Sequence, residues 1–322
     1  MNIKKIGLSA LAGSLVAFSA NAGEMSVAGS ASIAVEHTNG GFGNSGKTFS
    51  MGNQLTFSGS GELDNGLNVS LSFVLDQGDD KSTVVTSATA ARQANSPFDS
   101  HSVTISSDAL GSLTFAGEGG SSATSALDGT AAGDIWDNFD GSGDVTPTAV
   151  GTGNNMFNYS LPSFADGLSA NVSYLPTGSG AESAVGFSAT YTGVDGLSVS
   201  YGSGDGTNSN TDATAMKASY AYGPVTLAYS NYEYDTSGTS ADNETSSFKI
   251  SYTVSDEISI SYGEETIEEG TGQDVETKAI SASYTAGGMT LTAASNSIDN
   301  SSGSTAATED RERWALSASF AF

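Results

Sequence analysis

Leu67-Asn68-Val69-Ser70-Leu71-Ser72-Phe73-Val74-Leu75 puts an apolar side chain at every odd position and, Val74 apart, a small polar one at every even position. A two-residue period is that of a β-strand, whose successive side chains point to opposite faces, so this stretch reads as a strand with one apolar face. Upstream, Phe49, Met51, Leu55 and Phe57 alternate with Ser50, Gln54, Thr56 and Ser58. Downstream the pattern returns in Leu168/Ala170/Val172/Tyr174, Val185/Phe187/Ala189/Tyr191, Met216/Ala218/Tyr220/Tyr222 and Phe248/Ile250/Tyr252/Val254. It closes the chain in Trp314/Leu316/Ala318/Phe320/Phe322. The helical period is nearly absent.

Counting in order gives sixteen strands, at about 24–36, 47–63, 67–76, 101–107, 112–117, 155–161, 168–176, 182–192, 197–202, 213–222, 224–234, 245–254, 258–264, 275–284, 289–296 and 309–322. Seven connections are short turns with Gly, Asn, Asp or Pro at the bend, such as Asp64-Asn65-Gly66 and Gly223. They alternate with eight longer polar loops, of which 118–154 is the longest. Short turns on one side and long loops on the other describe an antiparallel meander.

The composition decides what such a meander encloses. Of 322 residues 37% are hydrophobic and only 14% charged, against roughly 45–50% and 25% in an average soluble domain. That is thin for a compact soluble core. It suffices for a closed barrel in lipid, which needs one outward apolar layer around a polar lining. Closure is obligatory there, because an open sheet edge in hydrocarbon leaves backbone groups unpaired. The expected fold is therefore all-β: a sixteen-stranded antiparallel transmembrane β-barrel with short periplasmic turns and long external loops. Tyr174, Tyr191, Tyr201, Tyr222, Tyr252, Tyr262 and Tyr284 fall near expected strand ends, where interfacial girdles lie.

Other classes are excluded or unsupported. A net charge of −26 rules out nucleic acid as the main partner, since phosphate recognition needs basic surface. Without Cys there is no disulfide scaffold, thiol nucleophile or thiolate metal site. The two histidines, His37 and His101, have no nucleophile pattern around them. Gly41-Phe42-Gly43-Asn44-Ser45-Gly46 matches the dinucleotide fingerprint, but a strand follows it where a helix is needed. The amino terminus reads as a cleaved secretory signal over 1–22, with Lys4 and Lys5, an apolar Ile6–Phe18 and Ala20-Asn21-Ala22 at the cleavage site. Residues 23–322 then form one outer-membrane barrel domain, with 8 bases against 36 acids, or −28.

Four pieces together resemble the general diffusion porins of the Gram-negative outer membrane, in the style of the sixteen-stranded alphaproteobacterial porins. They are the signal followed by a strand at Glu24–Glu36, the Leu63-Asp64-Asn65-Gly66-Leu67 hairpin, the stretch from Asn158 through Pro162 to Leu168, and the strand Trp314–Phe322. The resemblance implies a passive channel for small hydrophilic solutes and ions, held in outer-membrane lipid, with no catalytic activity and no cofactor. It implies a homotrimer in which the loop 77–100 reaches a neighbour. It also implies that Phe322 is a terminal assembly signal, and that the loop after the fifth strand, here 118–154, folds into the barrel as a constriction.

That loop carries Glu118, Asp128, Asp134, Asp137, Asp140 and Asp144 as candidate constriction residues. The resembling family faces such acids with bases on the opposite wall. Here the inward positions of the second, fourth and sixth strands read Ser50, Gln54, Thr56, Ser102, Thr104, Asn158 and Ser160, without a base. The inward-phased bases are Lys217, Lys249, Arg311 and Arg313, on strands ten, twelve and sixteen. An excess of carboxylates concentrates cations, so the expected pore prefers them. Asp134/Asp137/Asp140/Asp144 and Glu264/Glu265/Glu268/Glu269 offer oxygen ligands that divalent cations such as calcium take, but they read as solvated acidic rims and not as a metal site. Two alternatives stay open: a substrate-specific outer-membrane channel, for example for sugar, and a secreted surface-layer β protein.

Overall fold

The computed structural model describes residues 24–39, 46–76, 98–139, 151–176, 182–206, 211–236, 242–269, 272–303, 305 and 310–322. Sixteen strands run β1 (Met25–Asn39), β2 (Gly46–Glu62), β3 (Asn68–Asp76), β4 (Phe98–Ser107), β5 (Gly111–Glu118), β6 (Met156–Ser160), β7 (Leu168–Leu175) and β8 (Ala184–Tyr191). They continue as β9 (Leu197–Asp205), β10 (Asp212–Tyr222), β11 (Val225–Asp235), β12 (Asn243–Thr253), β13 (Ile258–Glu269), β14 (Val275–Ala286), β15 (Met289–Asp299) and β16 (Arg311–Ala321). Each pairs antiparallel with the next, and β1 pairs with β16 from Ser30↔Ala321 to Asn39↔Glu312, so the barrel is closed. The described prolines, Pro162, Pro176 and Pro224, all fall in connections, as a continuous ladder requires.

The alternation of the sequence becomes two faces. Leu71, Val103, Phe187, Ile250, Ile260 and Leu316 are exposed on the outside. Phe57 and Phe73, directly paired on β2 and β3, stack there with ring centroids 4.8 Å apart. The inside carries small hydroxyls that pair across strands: Thr104 with Thr114, Thr190 with Ser200, and Ser261 with Ser281, each at 2.8 Å. Among the described residues no helix is long and apolar enough to cross a bilayer; strands with an apolar outer face do so instead.

The turns follow from their residues. In the β2–β3 hairpin Gly66 takes φ +80° and the Leu67 N–H donates to Asn65 Oδ1 at 3.2 Å. At Gly111, φ is +76° and a Cβ would stand 2.2 Å from the Ser160 carbonyl oxygen, so both conformation and space demand glycine. The seam is closed by backbone bonds between Gly29 and Phe322, at 2.7 and 2.9 Å, with the Phe322 ring lying over Gly29.

Two expectations need correction. The thirteenth strand was expected to end at 264, with the acids from Glu265 on in a solvated loop, yet β13 continues to Glu269. Charge does not break the strand, because alternation persists: Thr277 pairs with Glu265 and Val275 with Ile267. For the same reason Tyr201 and Tyr262 are not at strand ends; each is the fifth residue of a strand that runs on to Asp205 or Glu269.

Candidate functional site

In the connection after β5, residues 119–139 lie against the inner wall of the barrel. Its two limbs meet at their base, where Gly153 N–H donates to the Gly120 carbonyl at 3.2 Å and Gly119 N–H to Asn154 Oδ1 at 3.1 Å. Only glycine fits at 120, where a Cβ would be 2.4 Å from both the Gly153 oxygen and Met156 Cγ. From there the chain passes a helical turn, α1 (Ser125–Asp128), and a 3₁₀ turn at Ile135–Asn138.

A loop backbone has no ladder to satisfy it, and here inward hydroxyls of the wall do so. Ala123 N–H donates to Ser173 Oγ on β7 at 2.8 Å, Ala131 N–H to Ser230 Oγ on β11 at 2.8 Å, and Ala132 N–H to Ser247 Oγ on β12 at 2.9 Å. Leu127 packs against Ala213, Ala215 and Tyr232, and Phe139 against Ile267, Val275 and Ile298. These are inward positions, most of which elsewhere on the wall are small or polar. The two large apolar clusters on the inner face are thus places the loop covers. That is the sequence signal of its docking, carried by inward and not by outward residues.

Glu265 is the centre of the attachment. It is 1% exposed, and its carboxylate accepts the Thr130 hydroxyl and the Trp136 N–H (3.1 Å) from the loop and the Thr277 hydroxyl (3.0 Å) from β14. Sequence reasoning placed this residue in an acidic rim. Its inward phase beside Ile267 was the available clue.

Among the expected constriction acids, the described side chains of Glu118, Asp134 and Asp137 stand in three different settings. Glu118 ends β5 at a bulge, and its carboxylate stands 3.9 Å from Nδ1 of His101, a residue in the outward phase of Val103 and Ile105. Asp128 closes α1. Asp134, left-handed at φ 53°, accepts the Thr130 N–H at 2.7 Å and so shapes the loop locally. Asp137 is exposed in the 3₁₀ turn. Asp140 and Asp144 lie outside the described residues.

Of the expected lining bases, Lys217 (β10) and Lys249 (β12) face inward, and Lys217 Nζ comes close to Gly129 of the loop. Arg311 is only 3% exposed; it donates to Ser301 Oγ and lies over the Phe139 ring, 5.9 Å from its centroid. Arg313 is ion-paired with Glu36 on β1 and donates to Asn138 Oδ1 at 2.9 Å. Both arginines therefore sit under or against the loop. The inward positions of β1–β5 hold no base among the described residues. Much of the acid excess is elsewhere: Asp205, Asp212, Glu233, Glu244, Glu264 and Glu268 have outward phase at the long-connection ends of β9–β13. Among the described residues no three acid or imidazole side chains are grouped as metal ligands would be.

Comparison with known proteins agrees with this geometry. Residues 7–277 match the model of the family described as Gram-negative porin. None of the curated proteins matches the sequence. Among solved structures, a substituted form of the porin of Rh. blastica superposes with a TM-score of 0.67 at 14% identity, over 93% of this chain and 100% of that one. A loop-deletion mutant of OmpT, an outer membrane protein of Vibrio cholerae, gives 0.66 at 13% identity, over 93% and 99%. At such identity the likeness is one of fold.

Proposed function

The chain belongs to the Gram-negative porin family and is a passive outer-membrane channel, not an enzyme, and from this premise we propose that its lumen passes small hydrophilic solutes with a preference for cations. Width, lining charge and local field set the flux through such a pore. The loop 119–139 takes up lumen on one side and is the natural narrowing. One observation carries the sign of the preference: two of the four described inward bases are taken up against the loop or by an acid, and the acids outnumber the others. Arg311 is buried, Arg313 is neutralised by Glu36, and the wall β1–β5 offers none among the described residues. Lys217 and Lys249 also point inward, and they are outnumbered by the loop acids Asp128, Asp137, Asp140 and Asp144 and by the acids at the long-connection ends of β9–β13. Reversal potentials of single channels across a KCl gradient test this, and an anion-selective sign rejects it.

A second reading is favoured by a recess of about 540 Å³ between the first limb of the loop and β4–β7, lined by Ser102, Thr114, Ser121, Ser125, Asn158 and Asn171. It is uncharged and rich in hydroxyls and amides, which suits a neutral polyol such as a sugar. Concentration-dependent block of the ion current by sugars supports it; unaltered current leaves the general pore.

The remaining parts of the reading have their own tests. Removal of 1–22 predicts a mature protein starting at Gly23, read by intact mass. A homotrimer predicts three times the chain mass in detergent; the loop 77–100 assigned to that contact lies outside the described residues except for its last three positions. Phe322 as an assembly signal predicts that Phe322→Ala lowers the yield of heat-modifiable barrel. No cofactor enters this reading, and divalent cations at the acidic loops are held loosely.

A further inference from the structure

Arg313 stands where three parts of the molecule meet. On β16 it is in register with Thr38 of β1, so it lines the seam where the first and last strands join. Its Nε donates to Glu36 Oε2 at 3.0 Å and its Nη2 to the same oxygen, while Nη1 donates to Asn138 Oδ1 at 2.9 Å. Glu36 is held in turn by the Thr48 hydroxyl of β2, 3.1 Å from Oε1. Asn138 ends the 3₁₀ turn, fixed by its own amide bond to the Ile135 carbonyl at 3.0 Å, and the next residue is the docked Phe139. The contact chain therefore runs from β2 through β1 and β16 to the end of the loop.

A guanidinium is a planar fork with fixed donor directions. When one edge is bound to a carboxylate, the remaining Nη1–H groups are aimed and cannot turn freely. Glu36 and Arg313 are 277 positions apart, so the carboxylate reaches that edge only when the sheet has closed. We propose that Arg313 couples closure of the barrel seam to seating of the lumenal loop. Glu36 acts as the positioning residue: it aims the guanidinium that Asn138 accepts, and touches no loop residue among those described.

The absence of native cysteine allows a clean reporter. Asp137→Cys, exposed beside Asn138, carries a nitroxide spin label whose mobility reports on the loop independently of any current. In that background Glu36→Gln and Arg313→Gln are expected to raise label mobility and to lower, by several degrees, the temperature at which the barrel loses its fast-running form in SDS. Asn138→Ala is expected to raise mobility and leave that temperature unchanged. Glu36→Asp keeps the charge but withdraws it by one methylene, giving the same shifts at smaller size; it serves if Glu36→Gln yields no heat-modifiable barrel. A label that stays immobile in the Glu36 variants while Arg313→Gln frees it would overturn the coupling. So would a loop freed by Glu36→Gln at an unchanged barrel temperature. Only the parallel conductance measurement rests on the loop narrowing the channel. Raised mobility at constant conductance would reject that narrowing and leave the coupling standing.

Discussion

Two walls of one lumen are built from the same kind of strand and face different things. Along β1–β5 the inward positions are mostly small or polar, Ser30, Ser50, Gln54, Thr56, Ser102 and Thr104 among them, with Val74 the largest apolar one, and hydroxyls such as those of Thr104 and Thr114 pair with each other. Along β10–β15 the equivalent positions include Ala213, Ala215, Tyr232, Ile267, Val275 and Ile298, with Glu265 among them. Apolar surface exposed to a water-filled lumen is unfavourable at roughly 25 cal/mol per Å². It is found where Leu127 and Phe139 cover it. The difference teaches that inner-face polarity in a barrel is not uniform and that its clustered apolar exceptions mark the path of a covering segment.

The strongest way to break this distinction is to remove the largest fully buried side chain that bridges loop and wall. Phe139 is 2% exposed and contacts three apolar wall residues and the Arg311 guanidinium. Truncating a buried Phe costs about 3–5 kcal/mol in a core. Phe139→Ala is thus expected to unseat the end of the loop, raising single-channel conductance and current noise while the barrel stays heat-modifiable. Gln54→Ala, on the bare wall, should change neither. Equal effects from both substitutions would erase the contrast between the walls.

The polar half of the attachment comes next. Glu265→Ala leaves the Thr130 hydroxyl and the Trp136 N–H without their acceptor, at about 1–3 kcal/mol for each buried donor unsatisfied. Limited proteolysis in detergent should show faster cleavage within the loop than in the parent. Glu265→Gln retains an acceptor oxygen and should fall between the two. Cleavage unchanged in Glu265→Ala would mean that the apolar contacts alone hold the loop.

How much of this could be read beforehand differs between the walls. The strand period survives every solvent environment, so Leu67–Leu75 and Trp314–Phe322 announced β-strands and their sum announced a barrel. Turn chemistry was equally local: Gly66 and Gly111 sit where the chain must bend. The bare wall was legible for the same reason, since Ser50, Gln54, Thr56, Ser102 and Thr104 hold the inward, base-free positions expected of them. The docking wall was not, because its residues are defined by a partner 135 positions away, as Thr130 is from Glu265. Charge in 264–269 suggested solvent, and only the phase of Ile267 argued for an interior. Asp134 is a constriction candidate from its place in the loop after β5, and its bond with the Thr130 N–H, which closes a turn, has no signature in the sequence.

A finer probe of fit uses Gly263 on β13, where a Cβ would stand 2.8 Å from the Ala132 Cβ. Gly263→Ala adds one methyl to a contact already closed, and overpacking of this kind costs on the order of 1 kcal/mol. A small rise in conductance without loss of heat-modifiable barrel is expected. Alanine in place of Gly52, on the bare wall, meets only the Ser32 hydroxyl at 2.9 Å, which can rotate away, and should be silent.

The smallest effect is electrostatic and bears on selectivity. Gln54→Lys introduces a base on the wall that has none among the described residues, and Lys249→Gln removes one from the wall that has several. A unit charge about 10 Å from a permeating ion in water contributes ~0.4 kcal/mol, close to a twofold change in local ion concentration. The first substitution should therefore reduce cation preference and the second increase it, by about that factor each, in reversal potentials at low salt. Screening sets a further condition. The Debye length is about 10 Å at 0.1 M and about 3 Å at 1 M, so both shifts should fade as the KCl concentration rises. Shifts that persisted at high salt would have to come from altered pore width instead of charge, which places Gln54 and Lys249 at the narrowest point and not along an open wall.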